Sequence, residues 1–385
     1  MRAFPWERAA VAGGVTIGWP VEPPGSGTRF WADQILSGLR ANGARIELRD
    51  IPQHPSSPFH VLLAERDDGQ ETHTIAFDLE DRPEIIEPIA ERVLLYFKQQ
   101  YAIGGYRHAS VVPGGYHLAN NLAYRYLPIL RAMRSRRPFR YDVYGRFGLR
   151  YGGAEIRRRA FELLSARQDL LYEGSLFRYP GGPDDYPYRR YLFEIPRARV
   201  CVDMPGSGAL CTRLIDYLAV GACVVGPALD VRLPIQLVDG VHVVHCAPDL
   251  SDLGDICAEL MRDRHERERI ARNGRDFFDR YLHRRQLAAY YLTQVIHAAT
   301  TNASGSRPVS RRIPRASERI ALDEALALHT RGHVVTRPAR RVLSHLAAAT
   351  ALLITLFVVL PETLGDWPYD PRPSALLRPA SSSEP

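Results

Sequence analysis

"VCVDMPGSGALCTRLIDYLAVGACVVGPALDVRLPIQLVDGVHVV", residues 200–244, alternates apolar runs with a glycine-rich turn and a helical pattern. The run ending at Met204 reads as a strand, and Pro205-Gly206-Ser207-Gly208 turns the chain into a helix that spans about 209–220. Gly221 ends that helix before a second strand, "ACVVGP" (222–227), and a third, "VHVVHC" (241–246). Strand, helix and strand in this order predict a parallel sheet with helices on its faces. The turn is also a candidate anion seat. Glycines let a phosphate approach the backbone, and the N–H groups and dipole of a helix start favour its charge. Arg213 and Asp216 lie three apart on one helix face, so Arg213 would reach the phosphates while Asp216 orients it or accepts hydrogen bonds from the ligand. An ordinary surface ion pair after a glycine turn has the same spacing.

Upstream, "YDVYG" (141–145) is a strand, "YGRFGLRYGG" (144–153) a second glycine-rich turn carrying Arg146 and Arg150, and "AEIRRRAFELLSA" (154–166) a helix. "DLLYEG" (169–174) is the next strand, and helices are expected near 251–262, 265–282 and 285–299. The first 133 residues form another such series. "GVTIGW", "RIELRD", "HVLLA", "HTIAFDL", "RVLLYF" and "SVVPGG" read as strands, with helices over 29–43 and about 117–133. Two Rossmann-like αβα domains, 1–133 and 134–300, therefore face each other across a cleft at the carboxyl ends of their strands.

Residues 301–341 are rich in Ser, Arg and Pro and read as a flexible basic linker. "VLSHLAAATALLITLFVVL" (342–360) contains no Asp, Glu, Lys or Arg, close to the roughly 20 residues that span a bilayer, so 342–361 is expected to be a transmembrane helix and 362–385 a short tail. Arg337, Arg340 and Arg341 precede it, which places both domains on the cytoplasmic side of a single-pass membrane protein. Residues 1–10 carry Arg2, Glu7 and Arg8 without an apolar core, so no signal peptide is expected there.

The chain has 385 residues, 45% of them apolar, and a net charge of +7. That length supports two cores. The charge admits nucleic acid, anionic lipid or a phosphorylated small molecule. Nucleic acid is disfavoured because the arginines are scattered, without an aromatic platform or a reading helix. Five cysteines, Cys201, Cys211, Cys223, Cys246 and Cys257, fall in apolar patterns without a Cys-x-x-Cys spacing, which suits buried reduced thiols. The excess of Arg over Lys suggests a GC-rich bacterial source.

"LIDYLAVGACVV" resembles the donor-domain pattern of group-1 glycosyltransferases of the GT-B fold, in which an acidic residue, a small or apolar trio and a glycine precede a β-branched strand. "CTRLIDYLAVGACVVGPALDVRLPIQLVD" is similar to the exostosin-type pattern of Ser or Thr, Arg, Leu and an acidic residue, and "LSDLGDICAELMRDRHERERIARNGRDFFDRYL" (250–282) to the terminal helices of the same domain. The resemblance covers roughly 140–300. It implies a nucleotide-sugar donor, a glycan or lipid-linked acceptor, and a donor site of Arg146, Arg150, Gly206, Ser207, Gly208, Thr212, Arg213 and Asp216. Retaining enzymes of this family usually carry a Glu eight positions before the acidic residue, where this chain has Gly208. No Asp-x-Asp signature occurs, so neither metal nor other cofactor is expected.

An inverting transfer needs a general base, which in this fold comes from the amino half. Asp78 and Asp81, after "HTIAF", and His108 and His117, around "RHASVVPGGYH", are the candidates. Lys98, the only lysine among fifty basic residues, follows "RVLLYF" and is expected to point toward the cleft. A compact ammonium differs there from a guanidinium in reach and hydration. Asp78, His108 and Lys98 are accordingly the candidate catalytic residues. The rival reading is a non-catalytic protein of the same fold that binds glycan or scaffolds polysaccharide synthesis.

Overall fold

Short strands, the central ones apolar and buried, build two sheets with helices between them in a computed structural model of the chain. It describes residues 14–303, apart from 24–28, 54–60, 68, 70, 119, 150–151 and 178–186. Arg150, the linker beyond 303 and the segment 342–361 lie outside the described residues. Among the described residues no helix is long and apolar enough to cross a membrane.

The first sheet has six strands: β1 (Thr16–Pro20), β2 (Arg45–Arg49), β3 (Val61–Asp67), β4 (Thr72–Asp78), β5 (Leu95–Lys98) and β6 (Val111–Pro113). Their order is β2-β1-β3-β4-β5-β6. Alternation of elements predicts a parallel sheet here, but β3 runs antiparallel to both β1 and β4. The cause is the connection between β3 and β4, residues 68–71, which is far shorter than the dozen or so residues a parallel crossover takes.

Helix α1 (Arg29–Ala41) buries Ala32, Ile35 and Leu39 on this sheet, a 3.6-residue stripe, and the chain leaves it through Gly43 at φ +81°. A single turn, α2 (Glu87–Ala90), covers the opposite face. Asn120 starts α3 (Asn121–Arg136) by accepting a hydrogen bond from the Leu122 N–H at 2.7 Å.

The second sheet is parallel throughout: β7 (Tyr141–Gly148), β8 (Tyr172–Phe177), β9 (Ala198–Val202), β10 (Cys223–Pro227) and β11 (Val244–Cys246), in the order β11-β10-β9-β7-β8. Helices α4 (Ala154–Ser165), α5 (Tyr188–Glu194), α6 (Thr212–Val220), α7 (Leu253–Arg262) and α8 (Arg264–Phe277) pack on its faces. Burial on both sides explains why β9 and β10 read as unbroken runs of Val and Cys: Cys201 and Val224 face one core, and Val200, Val202 and Val225 the other. All five cysteines are buried and unpaired.

The chain moves outward from β7 to β8 and then returns to place β9 on the other side of β7. Loops leaving β7 and β9 at their carboxyl ends therefore diverge, which is where open parallel sheets bind ligands.

A π turn (Phe278–Leu282) leads into α9 (Arg284–Ala303), which packs on the first sheet although it follows the second in sequence. Tyr290 and Tyr291 donate hydrogen bonds to the carbonyls of Pro113 and Gly114, at 2.9 and 2.5 Å. Only a glycine fits at position 38, where an added Cβ would meet the Arg284 carbonyl oxygen at 2.3 Å. His117 is buried beneath Tyr291 at 3.0 Å, and burial lowers its imidazole to about 3.

Candidate active site

Beside the switch point between β7 and β9, the chain segments that follow β9 and β10 enclose a cavity of about 370 Å³, within the usual range for small-molecule sites. One wall is the loop after β9, from Asp203 through Pro205, Gly206, Ser207 and Gly208 to Ala209. The facing wall, after β10, runs from Gly226 to Asp230, and Ile156 of α4 closes one end.

The two glycine-rich turns that the sequence singles out touch each other, although only the 205–208 turn lines the cavity among the described residues. A Cβ on Gly153 would lie 2.4 Å from the Pro205 carbonyl oxygen, and one on Gly152 would lie 3.2 Å from that of Gly206. Gly153 also adopts φ +79°, a left-handed conformation that starts α4. Within the 205–208 turn the Gly206 N–H donates to the Gly208 carbonyl at 2.9 Å. The turn does not open directly into a helix as its sequence predicts: α6 begins at Thr212, and the side chain of its cap residue, Cys211, bonds back to the Met204 and Gly208 carbonyls and not to the helix.

Arg213 lies in the first turn of α6 and folds back over the end of β9. Its guanidinium donates to the Met204 carbonyl at 2.6 Å, meets Asp203 Oδ1 at 3.4 Å and stacks 5.3 Å above the Phe147 ring. Its carboxylate partner is Asp203, which the sequence reading did not single out, and not Asp216. Burial pushes the Asp203 carboxyl up to about 6, against the pull of Arg213 and then Arg157. Asp216 is 1% exposed and accepts a hydrogen bond from Tyr188 at 2.9 Å. Burial raises its carboxyl to about 7.

Arg157 is the second cation at the turn and also escaped the sequence reading. It sits on the buried stripe of α4 with Ala160 and Leu164, and that 3.6-residue spacing was the signal that distinguishes it from its neighbours Arg158 and Arg159. Its guanidinium donates to the Gly148 carbonyl at 2.6 Å and approaches Cys211 Sγ at 3.7 Å, while its Nε has no hydrogen-bond partner among the described residues. A Cβ on Gly206 would lie 2.6 Å from it. Two guanidiniums, Arg157 buried and Arg213 partly buried, thus back the turn, with Asp203 the nearby carboxylate that both feel.

Arg146 projects from β7 into a different network. It donates to Glu194 at 2.9 Å, to Glu173 at 2.7 Å and to Ser175 at 2.7 Å, so a phosphate would have to compete there with two carboxylates.

The catalytic candidates lie on the first sheet. Asp78 ends β4, Lys98 ends β5, and Lys98 Nζ meets Asp78 Oδ1 at 2.9 Å with both side chains fully enclosed. The Tyr96 hydroxyl donates to Asp78 Oδ2 at 2.5 Å, and the Glu80 N–H to Oδ1 at 2.9 Å. Burial raises the Asp78 carboxyl, opposed by the Lys98 charge. His108 bonds to Glu87 and accepts from Arg107 at 3.0 Å. Glu87, Glu91 and His108 form a group with metal-ligating donors among the described residues. Arg107 already lies 3.1 and 3.8 Å from the two carboxylates and supplies positive charge to them.

No protein-family model matches the chain, and no curated protein matches it. Among solved structures, the C-terminal domain of the glycosyl transferase group 1 family protein LpcC from Francisella tularensis matches at 17% identity, covering 39% of this chain and 89% of that domain with a TM-score of 0.26. Anabaena HepE, solved with UDP and glucose and also with UDP-glucose, matches at 16% and 15% identity with TM-scores of 0.30 and 0.28. The chain resembles group 1 glycosyltransferase domains. The match covers half of this chain and 56% and 57% of the HepE chains, so the functional reading rests on the geometry of the cavity itself.

Proposed function

We propose that the protein is a glycosyltransferase that takes a sugar from a nucleotide-sugar donor bound in the cavity between the loops after β9 and β10. The observation that carries this reading is the pair of guanidiniums, Arg157 buried and Arg213 partly buried, behind a glycine turn at the switch point of a parallel sheet. A diphosphate seated at the 206–208 turn would meet its backbone from the cavity, with the Arg157 and Gln100 side chains already packed against Gly206 and Gly208. As the bond between the sugar anomeric carbon and the phosphate oxygen breaks, its electron pair passes to the diphosphate. The two guanidiniums stabilise that charge without requiring a metal. The acceptor hydroxyl oxygen forms the new bond and gives its proton to a base.

The enclosure of Asp78 and Lys98 favours a second reading, a glycan-binding protein of the same fold with no transfer step. Purified protein incubated with UDP-, GDP-, ADP- and dTDP-sugars separates the two. The transferase reading expects nucleotide release with one of them and a loss of about 100-fold in Arg213→Ala, the scale of a lost oxyanion donor. Absence of both release and donor-dependent heat in calorimetry would leave only the glycan-binding protein.

The same reading makes 342–361 a membrane anchor that holds the cavity near a lipid-linked acceptor at the cytoplasmic face of a bacterial membrane, a role motivated by its uncharged sequence. Deleting residues 335–385 is then expected to preserve donor hydrolysis and abolish transfer to acceptor embedded in vesicles. Equal loss of both activities would contradict an anchoring role.

A further inference from the structure

The segment after β5 reaches from the first sheet to both walls of the cavity. Gln100 is fully buried, and its side-chain amide makes two hydrogen bonds to one residue: Nε2 donates to the Leu210 carbonyl at 2.8 Å, and the Leu210 N–H donates to Oε1 at 3.1 Å. Next to it the Tyr101 carbonyl accepts from the Arg232 N–H at 2.8 Å, and Ala102 pairs with Val231 as an antiparallel bridge.

These grips are placed where they act on the cavity. Leu210 follows Ala209, the end of the first wall, and Val231 follows Asp230, the end of the second. Gly208 is pressed against the same segment, since a Cβ there would lie 2.3 Å from Gln100 Nε2 and 2.4 Å from the Asp81 carbonyl oxygen. The root of the segment is fixed as well. The Gln99 N–H donates to the Asp78 carbonyl at 2.9 Å, and the Lys98 carbonyl accepts from the Gly114 N–H at 2.7 Å.

We propose that residues 100–102 form a clasp through which the first sheet sets the positions of both loops of the cavity, with Gln100 the positioning residue for the 205–210 turn. A glycine-rich turn has many accessible conformations, and holding one in place removes the ordering cost from ligand binding. The coupling is reciprocal: a ligand held by both loops strengthens the clasp by the factor that the clasp adds to its affinity. The ligand side of this inference rests on the nucleotide reading of the cavity, whereas the clasp itself does not.

Residue-resolved hydrogen exchange on the full chain tests it, with Gln100→Ala and the conservative Gln100→Glu, which keeps an acceptor for the Leu210 N–H but loses the donor to its carbonyl. In Gln100→Ala the amides of Leu210 and Arg232 are expected to exchange about ten-fold faster together, the scale of one lost hydrogen bond, with Cys201 and Val224 in the strands unchanged. Gln100→Glu, expected to fall between, serves if the alanine variant loses its far-ultraviolet dichroism. Calorimetry with UDP, GDP, ADP and dTDP is expected to show the nucleotide that binds doing so about ten-fold more weakly to Gln100→Ala. Acceleration confined to Leu210, with Arg232 as in wild type, would overturn the clasp, and so would unchanged nucleotide affinity. Joint acceleration in a protein that binds none of the four nucleotides supports the clasp and sinks the nucleotide reading instead.

Discussion

Asp78→Ala is expected to destabilise the protein by about 3–5 kcal/mol, because it leaves the Lys98 ammonium buried without its counter-charge. Lys98 is 0% exposed, and Asp78 is its partner at 2.9 Å. Lys98→Ala should cost a similar amount through the stranded carboxylate, although the Tyr96 hydroxyl and the Glu80 N–H still bond to it. Replacing both, as Asp78→Ala with Lys98→Ala, removes two desolvated charges together, so the double variant is expected to lose much less than the sum of the single changes. Urea unfolding of the four proteins measures this. Single changes below about 1 kcal/mol that add without coupling would show that the pair is not closed to water. The same enclosure accounts for the lone lysine. A guanidinium is larger and planar, so Lys98→Arg must displace the packed loops around it, at about 1–3 kcal/mol.

The closed pair changes what Lys98 says about function. Its place at the end of a strand was legible, but the covering loops were not, because Tyr106, which donates to the Pro83 carbonyl, and Tyr96 come together only in the fold. Much of the second sheet could be read directly, since strands buried on both faces announce themselves as apolar runs with glycines at their ends. The charges around the glycine-rich turns were harder to read. Arg146 has the spacing of a phosphate ligand, yet Glu173 and Glu194, 27 and 48 residues away, complete its shell. Nothing local in the sequence announces such pairings. Arg157 was hidden in a run of three arginines, and Asp203 in an apolar strand end, although a charged residue terminating such a strand was itself a signal.

Asp216 yields the other large effect, and its sign follows from burial. Its folded-state carboxyl is raised to about 7, whereas in the unfolded chain it titrates near the ordinary 3.8. Below about pH 4 both states hold the proton, and the group costs the fold nothing. As pH rises toward 7 the unfolded chain releases its proton while the folded protein keeps it, so stability falls through that window and levels off above it. A shift of this size corresponds to up to about 4 kcal/mol. Asp216→Asn keeps an oxygen to accept from Tyr188 and removes the titration. Its stability relative to wild type is therefore expected to rise by about 3 kcal/mol between pH 4.5 and 8.5, because part of the shift is already expressed at pH 4.5, read by urea unfolding at each pH. Any fixed penalty from fitting an amide beneath Tyr188 and Tyr191 appears at both ends and drops out of the difference. Asp203, raised to about 6, titrates in both proteins, and its charge is one of those that raise Asp216. Parallel stability curves for the two proteins would mean that Asp216 is ionised in the fold across this range. Its carboxylate would then need a cation closer than Arg213, whose guanidinium is turned toward Met204 and Asp203.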